Sequence, residues 1–305
     1  MTAISASTSP ADRWWGPLLV LAGGICVGFA PIGLRLGVGL GEDGLGPQAI
    51  AFWRYVFAAP ILLSLVLIFE RRLPVLPNRF VILAGTFFAL DIALWHWGLT
   101  LTTVANATFI VNLGNIGVGL LAWLFLRERL TTVWLIAVAV ALTGAAMLSL
   151  GGVSEGQADL RGDILAFGAA LLVSGYMLCS KIARRDLGAL DVLFWLTITE
   201  ILVGALVTAI SGEHFLPATN AGWRAPLALA IVAHCAGQGF IIAGIGRTPA
   251  SLAGVLVLVQ PVVAAMISWQ LFNEPLLAIQ LAGASLILLG VGLSQIRAPT
   301  KTRDA

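Results

Sequence analysis

Charge is what this sequence has least of. Only 17 Lys and Arg and 15 Asp and Glu occur in 305 residues, 10% of the chain, where a soluble domain carries about 25%. That deficit excludes an ordinary water-facing surface, because a large share of any soluble fold must meet solvent. The basic residues are also too few and too scattered for a nucleic-acid interface, so nucleic acid is not an expected partner. Cysteine is equally scarce. Cys26, Cys179 and Cys235 each lie inside an apolar run, without CxxC or Cys/His spacing, so neither a disulfide framework nor a zinc site is indicated. No Walker motif, HExxH or GxSxG stands in a usable context. ATP-driven transport and hydrolysis therefore have no support; the chain is not expected to be an enzyme, and no cofactor or metal is expected.

What the sequence has instead is apolar surface: 59% of residues are hydrophobic and the mean hydropathy is +0.98. The surrounding solvent must be lipid. Ten apolar segments lie near 15–38, 47–69, 79–101, 103–125, 133–150, 162–182, 190–211, 223–246, 249–272 and 277–296. Each approaches or exceeds the roughly 20 residues a helix needs to cross a bilayer. The connections are short, and none is long enough for a separate soluble domain. Residues 1–13 and 297–305 read as tails. With the N-terminus in the cytoplasm, thirteen basic residues fall inside, among them Arg71, Arg72, Arg127, Arg129, Lys181, Arg184 and Arg185. Only Arg35, Arg161 and Arg224 fall outside. The positive-inside bias predicts both termini in the cytoplasm, and an inner (plasma) membrane is the expected location.

An internal repeat organises these segments. An offset of 146 places TTVANATFIVNLGNIGVGLLAWLFLRERL over TPASLAGVLVLVQPVVAAMISWQLFNEPL, with Trp123 on Trp269, Glu128 on Glu274 and Leu130 on Leu276. Ala137 and Gly144 fall on Gly283 and Gly290, a spacing suited to close helix packing. An offset of 142 places Phe52-Trp53 on Phe194-Trp195. The fold expected is all-α: ten transmembrane helices in two five-helix copies, 14–150 and 161–296. Five is odd, so the second copy enters the membrane inverted. Inverted repeats suit a carrier, whose halves exchange roles between inward-open and outward-open states.

NLGNIGVGLLAWLFLRERL and VLVQPVVAAMISWQLFNEPL, together with WRYVFAAP in the second segment, resemble the drug/metabolite transporter superfamily, and within it the ten-helix EamA-type permeases. The overall sequence resembles the aromatic amino-acid exporters of the YddG type. The resemblance implies a secondary transporter, functional as a monomer, that exports aromatic and other bulky neutral amino acids through a central cavity. The first copy departs from the pattern by carrying Asn115 where the second has Pro261. Proline removes a backbone hydrogen bond and permits a kink, so the halves are expected to bend unequally at these two hinge positions.

Polar groups at membrane depth are costly and usually face a cavity or a partner. Arg54, Asp91 and Glu200 are the charged ones, and His96 and His234 are titratable. Asp91 shares a helical face with Phe88 and Trp95, and the 146 offset carries Asp91 and Trp95 onto Gly237 and Ile241, beside His234 and Gln238. Asn112 lies three residues before Asn115, and Tyr176 and Phe29 place aromatic groups in the sixth and first segments. Phe29, Asp91, Trp95, Asn112, Tyr176, His234 and Gln238 are therefore the expected substrate contacts, each with a structural role as its alternative. Arg54 is expected to snorkel toward the outer surface. A pair between Arg54 and Glu200 requires the second and seventh segments to touch, which nothing in the sequence demands. Trp14, Trp15, Trp134 and Trp223 read as interfacial belt residues. A multidrug or cationic-toxin exporter with Asp91 as counter-charge is the competing transport reading. A membrane enzyme or sensor is the remote one, lacking both a catalytic cluster and a signalling domain.

Overall fold

The computed structural model describes residues 12–41, 44–102, 104–150, 159–273 and 276–296. The greater part of the expected tails, the Glu274 turn and the loop at 151–158 lie outside the described residues. Among the described residues the secondary structure is helical throughout, and ten helical spans are long and apolar enough to cross a membrane: 14–38, 47–70, 79–101, 107–126, 132–150, 160–183, 189–211, 220–245, 250–272 and 278–295. They match the ten expected segments to within a few residues.

Six spans are each wound as one α-helix: α4 (Arg79–Leu101), α5 (Val104–Leu126), α6 (Thr132–Leu150), α7 (Leu160–Ala183), α8 (Ala189–Ser211) and α13 (Ala278–Ile296). The first span breaks at Gly28–Phe29 into α1 (Asp12–Val27) and α2 (Ala30–Val38). The second, α3 (Pro47–Leu65), finishes in a π-helical turn, Val66–Glu70. The eighth comprises α9 (Arg224–Leu229), a nine-residue π-helical stretch, Ala230–Gln238, and α10 (Gly239–Ile245). The ninth breaks at Leu258–Val259 into α11 (Ala250–Val257) and α12 (Gln260–Phe272), with Pro261 in the first turn of α12.

Small residues let the helices approach. In α6 and α13, a Cβ on Gly144 would stand 2.5 Å from the Gly283 carbonyl and one on Gly283 2.6 Å from the Gly144 carbonyl. No side chain fits there, and the expected seam of small residues is this contact. The Gly24 and Gly28 faces of α1 rest on Leu256, Val259, Gln260 and Val263, so the breaks in the first and ninth spans lie against each other. α3 packs on α8, and α4 on both α7 and α8.

Helix ends at the two membrane faces are tied by long-range contacts, which satisfy N–H groups that a helix leaves unpaired in its first turn. At one face Glu128 accepts from Ala250 N (2.8 Å), Ser251 N (3.1 Å) and Ser251 Oγ (2.8 Å), capping α11. At that face Arg72 holds Asp191 through two bonds of 2.9 and 2.6 Å and also contacts Glu70. This pairing raises the pKa of Arg72 above its ordinary value. Arg184, packed over the Ile242 carbonyl, is shifted down, chiefly by burial and then by Arg247. At the opposite face Glu213 accepts from Ala49 N (2.8 Å) and Gln48 N (3.3 Å), capping α3.

Trp14 and Trp15 are exposed, as a belt position requires, but Trp134 is not. Its indole packs under Gly119 and donates to Ser251 O at 2.9 Å. The α11 entrance offers the ring a buried acceptor, which overrides an interfacial position.

Candidate functional site

Near the middle of the bundle, α3, α4, α7, α8 and the π-helical stretch turn polar residues toward one another. Arg54, Asp91, Tyr176, Glu200, His234 and Gln238 are all buried, none more than 6% exposed. Asp91 and Glu200 lie about halfway along their helices, at the depth where an ionised side chain costs about 2.5–3.5 kcal/mol on insertion scales. Such residues persist there only with compensating partners or a ligand.

The second span brings Arg54. Its guanidinium does not snorkel: the Cζ lies 4.9 Å from the Tyr55 ring centroid and 5.6 Å from that of Phe88. Nη2 donates to Tyr55 Oη at 3.3 Å, and Nε has no hydrogen-bond partner. The close packing of α3 on α8, together with α4, puts Arg54 within electrostatic reach of both Asp91 and Glu200. The contact between the second and seventh spans that the sequence left open is therefore made.

α8 and the π-helical stretch meet through His234. Its Nε2 lies 2.7 Å from Thr197 Oγ1 and 3.4 Å from Glu200 Oε2. The Thr197 hydroxyl proton is directed to Leu193 O at 2.8 Å, so the histidine proton is assigned to Nε2, which donates to the threonine oxygen. His234 Nδ1 and both Glu200 oxygens are left without hydrogen bonds. Buried polar atoms are nearly always satisfied, and exceptions call for an explanation. Tyr176 donates to Gln238 Oε1 at 2.5 Å, and its ring lies 4.8 Å from that of Phe88. The π-helical winding matters here because such segments are frequent where a helix must present unusual side chains.

Of the expected contacts, Asp91, Tyr176, His234 and Gln238 come together. Trp95 is one turn along α4 from Asp91, its ring 5.4 Å from that of His96 and tilted by 38°, with its indole nitrogen unpartnered. Asn112 and Asn115 form a separate pair on α5: Asn115 Nδ2 donates to Asn112 Oδ1 at 3.3 Å, and Asn112 Nδ2 turns back to Thr108 O at 2.8 Å. Phe29 is not brought into the cluster; it caps the break between α1 and α2 and is 41% exposed. Asn115 lies within the unbroken α5, and Pro261 follows the break in the ninth span. Arg54, Glu200, Tyr55 and Thr197 were absent from the expected set. The first two carry a legible signal, as charges at membrane depth; Tyr55 and Thr197 carry none.

Among the described residues no group of His, Cys, Asp and Glu has the arrangement of a metal site. The arrangement sets charged groups of both signs beside aromatic faces at mid-depth.

The EamA-like transporter family matches the chain twice, over residues 14–150 and 160–295. The uncharacterized transporter YetK of Bacillus subtilis (strain 168) is 24% identical over 255 residues, covering 80% of this chain and 77% of its own. The uncharacterized transporter YwfM of the same organism is 29% identical over 229 residues, 74% of this chain and 75% of its own. A crystal structure of a protein 18% identical in sequence superposes with a TM-score of 0.78 over 93% of this chain and 97% of that one, which establishes likeness of fold.

Proposed function

The chain belongs to the EamA-like transporter family, and we propose that it is a secondary carrier exporting aromatic and other bulky neutral amino acids from the cytoplasm by alternating access. Membership and the two relatives make it a transporter and point away from catalysis. One observation supports the finer reading: the mid-depth convergence of Arg54, Asp91 and Glu200 beside Phe88, Tyr55 and Tyr176. In this reading Arg54 takes the substrate carboxylate by charge-assisted hydrogen bonds, Asp91 or Glu200 takes the ammonium, and the rings take the side chain. Phe29, Trp95 and Asn112 then belong to the path or the packing around the site.

The halves are proposed to be inverted copies, 14–150 and 161–296, with both termini cytoplasmic, in an inner membrane, working as a monomer. Reciprocal contacts support the inversion. Trp53 on α3 donates to Phe215 O beyond α8 at 2.5 Å, and Trp195 on α8 donates to Val75 O beyond α3 at 2.7 Å. α5 and α12 each end on a left-handed residue, Arg127 (φ 54°) and Asn273 (φ 53°), at the repeat offset. Hinges at Asn115 and Pro261 complete the proposal.

A second reading, an exporter of organic cations, is favoured by the excess of two buried carboxylates over one arginine. Counterflow into proteoliposomes preloaded with phenylalanine, tryptophan, threonine or methionine tests the first: labelled amino acid should accumulate without a pH gradient, and Asp91→Asn should slow it about 10- to 100-fold in folded protein. Exchange of a cation with none of the amino acids would leave the second reading standing in its place.

A further inference from the structure

The outward face of α5 carries a recess that substrate transport does not explain. Leu120, Trp123 and Leu124 follow one another at helical spacing and are 53%, 57% and 62% exposed. Arg127, in the left-handed conformation, ends the helix just beyond them. A shallow pocket of about 330 Å³ at this end is lined by Trp123, Leu124, Arg127, Glu128 and Arg129. Both arginines are exposed, and among the described residues neither guanidinium makes a hydrogen bond or an ion pair. Glu128 brings a negative charge, but both its oxygens accept bonds from the first turn of α11, where the helix dipole offsets it. The pocket is therefore electropositive at its polar end and apolar along the helix, beside an indole at interfacial depth.

The second copy of the repeat supplies the comparison. There Asn273, Glu274 and Pro275 stand where the first copy has Arg127, Glu128 and Arg129. Trp269, the counterpart of Trp123, also lines an outward groove, of about 440 Å³, together with Met266, Gln280, Leu281, Ser285 and Leu288. No cation lines that groove among the described residues. Successive spans alternate in direction, so the ends of the fourth and ninth spans lie at opposite membrane faces. The two recesses share an indole and an apolar wall and differ in charge.

We propose that the end of α5 is a seat for one anionic phospholipid. Arg127 and Arg129 hold its phosphate, whose oxygens suit the guanidinium fork, and its acyl chains lie along Leu120, Trp123 and Leu124. A zwitterionic phospholipid brings a cation of its own to the two guanidiniums and gains less. The lipid steadies the turn between α5 and α6, and with it Glu128, the cap on the half-helix before the break in the ninth span. Anionic lipid therefore stabilises the fold through that cap.

The test is native mass spectrometry of the full chain from detergent containing equal amounts of dioleoylphosphatidylglycerol and dioleoylphosphatidylcholine, with melting measured in each lipid. The wild type should retain one phosphatidylglycerol in preference to phosphatidylcholine, and should melt at a higher temperature with it. Arg127→Asn combined with Arg129→Gln should weaken that binding by about 10- to 30-fold, the effect of two interfacial arginines, and remove the gain in melting temperature. Asparagine tolerates the left-handed conformation and adopts it at the equivalent position of the second copy, so the turn is kept. Should the paired variant fail to fold, Arg129→Gln alone carries the same test at about fivefold. Arg71→Gln combined with Arg185→Gln removes equal charge from exposed positions at the same face and should leave retention within about twofold of wild type. Equal retention of the two lipids by the wild type overturns the proposal, as does unchanged binding by the pocket variant. Equal losses from both pairs overturn it too, because the attraction would then belong to the whole face. Glycerol 3-phosphate offers the same phosphate chemistry without acyl chains and should not raise the melting temperature. If at millimolar concentration it matches the lipid, the arginines hold a free anion and the lipid seat is wrong.

Discussion

The two halves of the chain match one family, yet they wind corresponding spans differently. In the first half α4 and α5 are unbroken helices, carrying Asp91 and Asn115. Their counterparts in the second half are a span with nine π-helical residues, bearing His234 and Gln238, and a span interrupted before Pro261. Charge is divided as unevenly as winding: Arg54 and Asp91 come from the first half and Glu200 from the second. Regular helix holds Arg54, Asp91, Tyr176 and Glu200, while the π-helical stretch holds His234 and Gln238. We propose a division of labour, the regular helices as the frame and the π-helical stretch as the part that rearranges.

The largest expected effect comes from removing the frame's charges. Arg54→Gln or Asp91→Asn should reduce amino-acid counterflow by about 10- to 100-fold, the loss of a hydrogen bond to a charged group worth about 1.5–3 kcal/mol. His234→Gln, on the rearranging side, should cost less, because Thr197 and Glu200 still meet an amide. Equal losses from all three would erase the asymmetry. Binding of phenylalanine, followed by tryptophan fluorescence, would separate lost affinity from lost turnover.

A smaller effect is expected at the hinge. Pro261→Ala returns an N–H to the first turn of α12 and permits α11 and α12 to join into one helix, as α5 already does. Turnover should fall several-fold with binding nearly unchanged. Asn115→Pro, the converse change, should do more damage, since α5 packs without a break against α7 and α11. If Pro261→Ala leaves turnover untouched, the break is packing geometry and not a moving joint.

Below these come the caps. Glu128→Gln weakens three bonds to the α11 N-terminus, where a carboxylate also complements the helix dipole. A loss of about 1 kcal/mol, typical of a helix cap, should appear as a lower melting temperature in detergent. Glu213→Gln, with two bonds to the α3 N-terminus, should lose less.

Much of this architecture is legible in the sequence because lipid imposes length and apolarity on every span, and the ten segments follow. Asp91, Tyr176, His234 and Gln238 were likewise legible, as polar side chains where none is cheap. Arg54 and Glu200 were visible as charges, but their nearness to each other was not, since that depends on which helices touch, and hydropathy does not encode it. The π-helical winding around His234 and the burial of Trp134 were not legible at all. Both depend on hydrogen bonds to a neighbouring helix and on local register, which leave no period in the chain.

The last expected effect bears most directly on inversion. Trp53 and Trp195 make matching indole bonds, to Phe215 O and Val75 O, between the same two helices at opposite membrane faces. Both bonds are formed together, so the structure is latched at each end. Trp→Phe at either position keeps an aromatic ring and removes one hydrogen bond, worth about 0.5–1.5 kcal/mol. In an equilibrium between inward-open and outward-open states, about 1 kcal/mol shifts populations by a factor of about 5. If the halves are inverted copies, Trp53→Phe loosens one face and Trp195→Phe the other. Their shifts, read by labelling of cysteines introduced at either face, must then have opposite sign and similar size. Shifts of the same sign would mean that the two indoles brace one common gate, and the matched bonds would no longer support inversion.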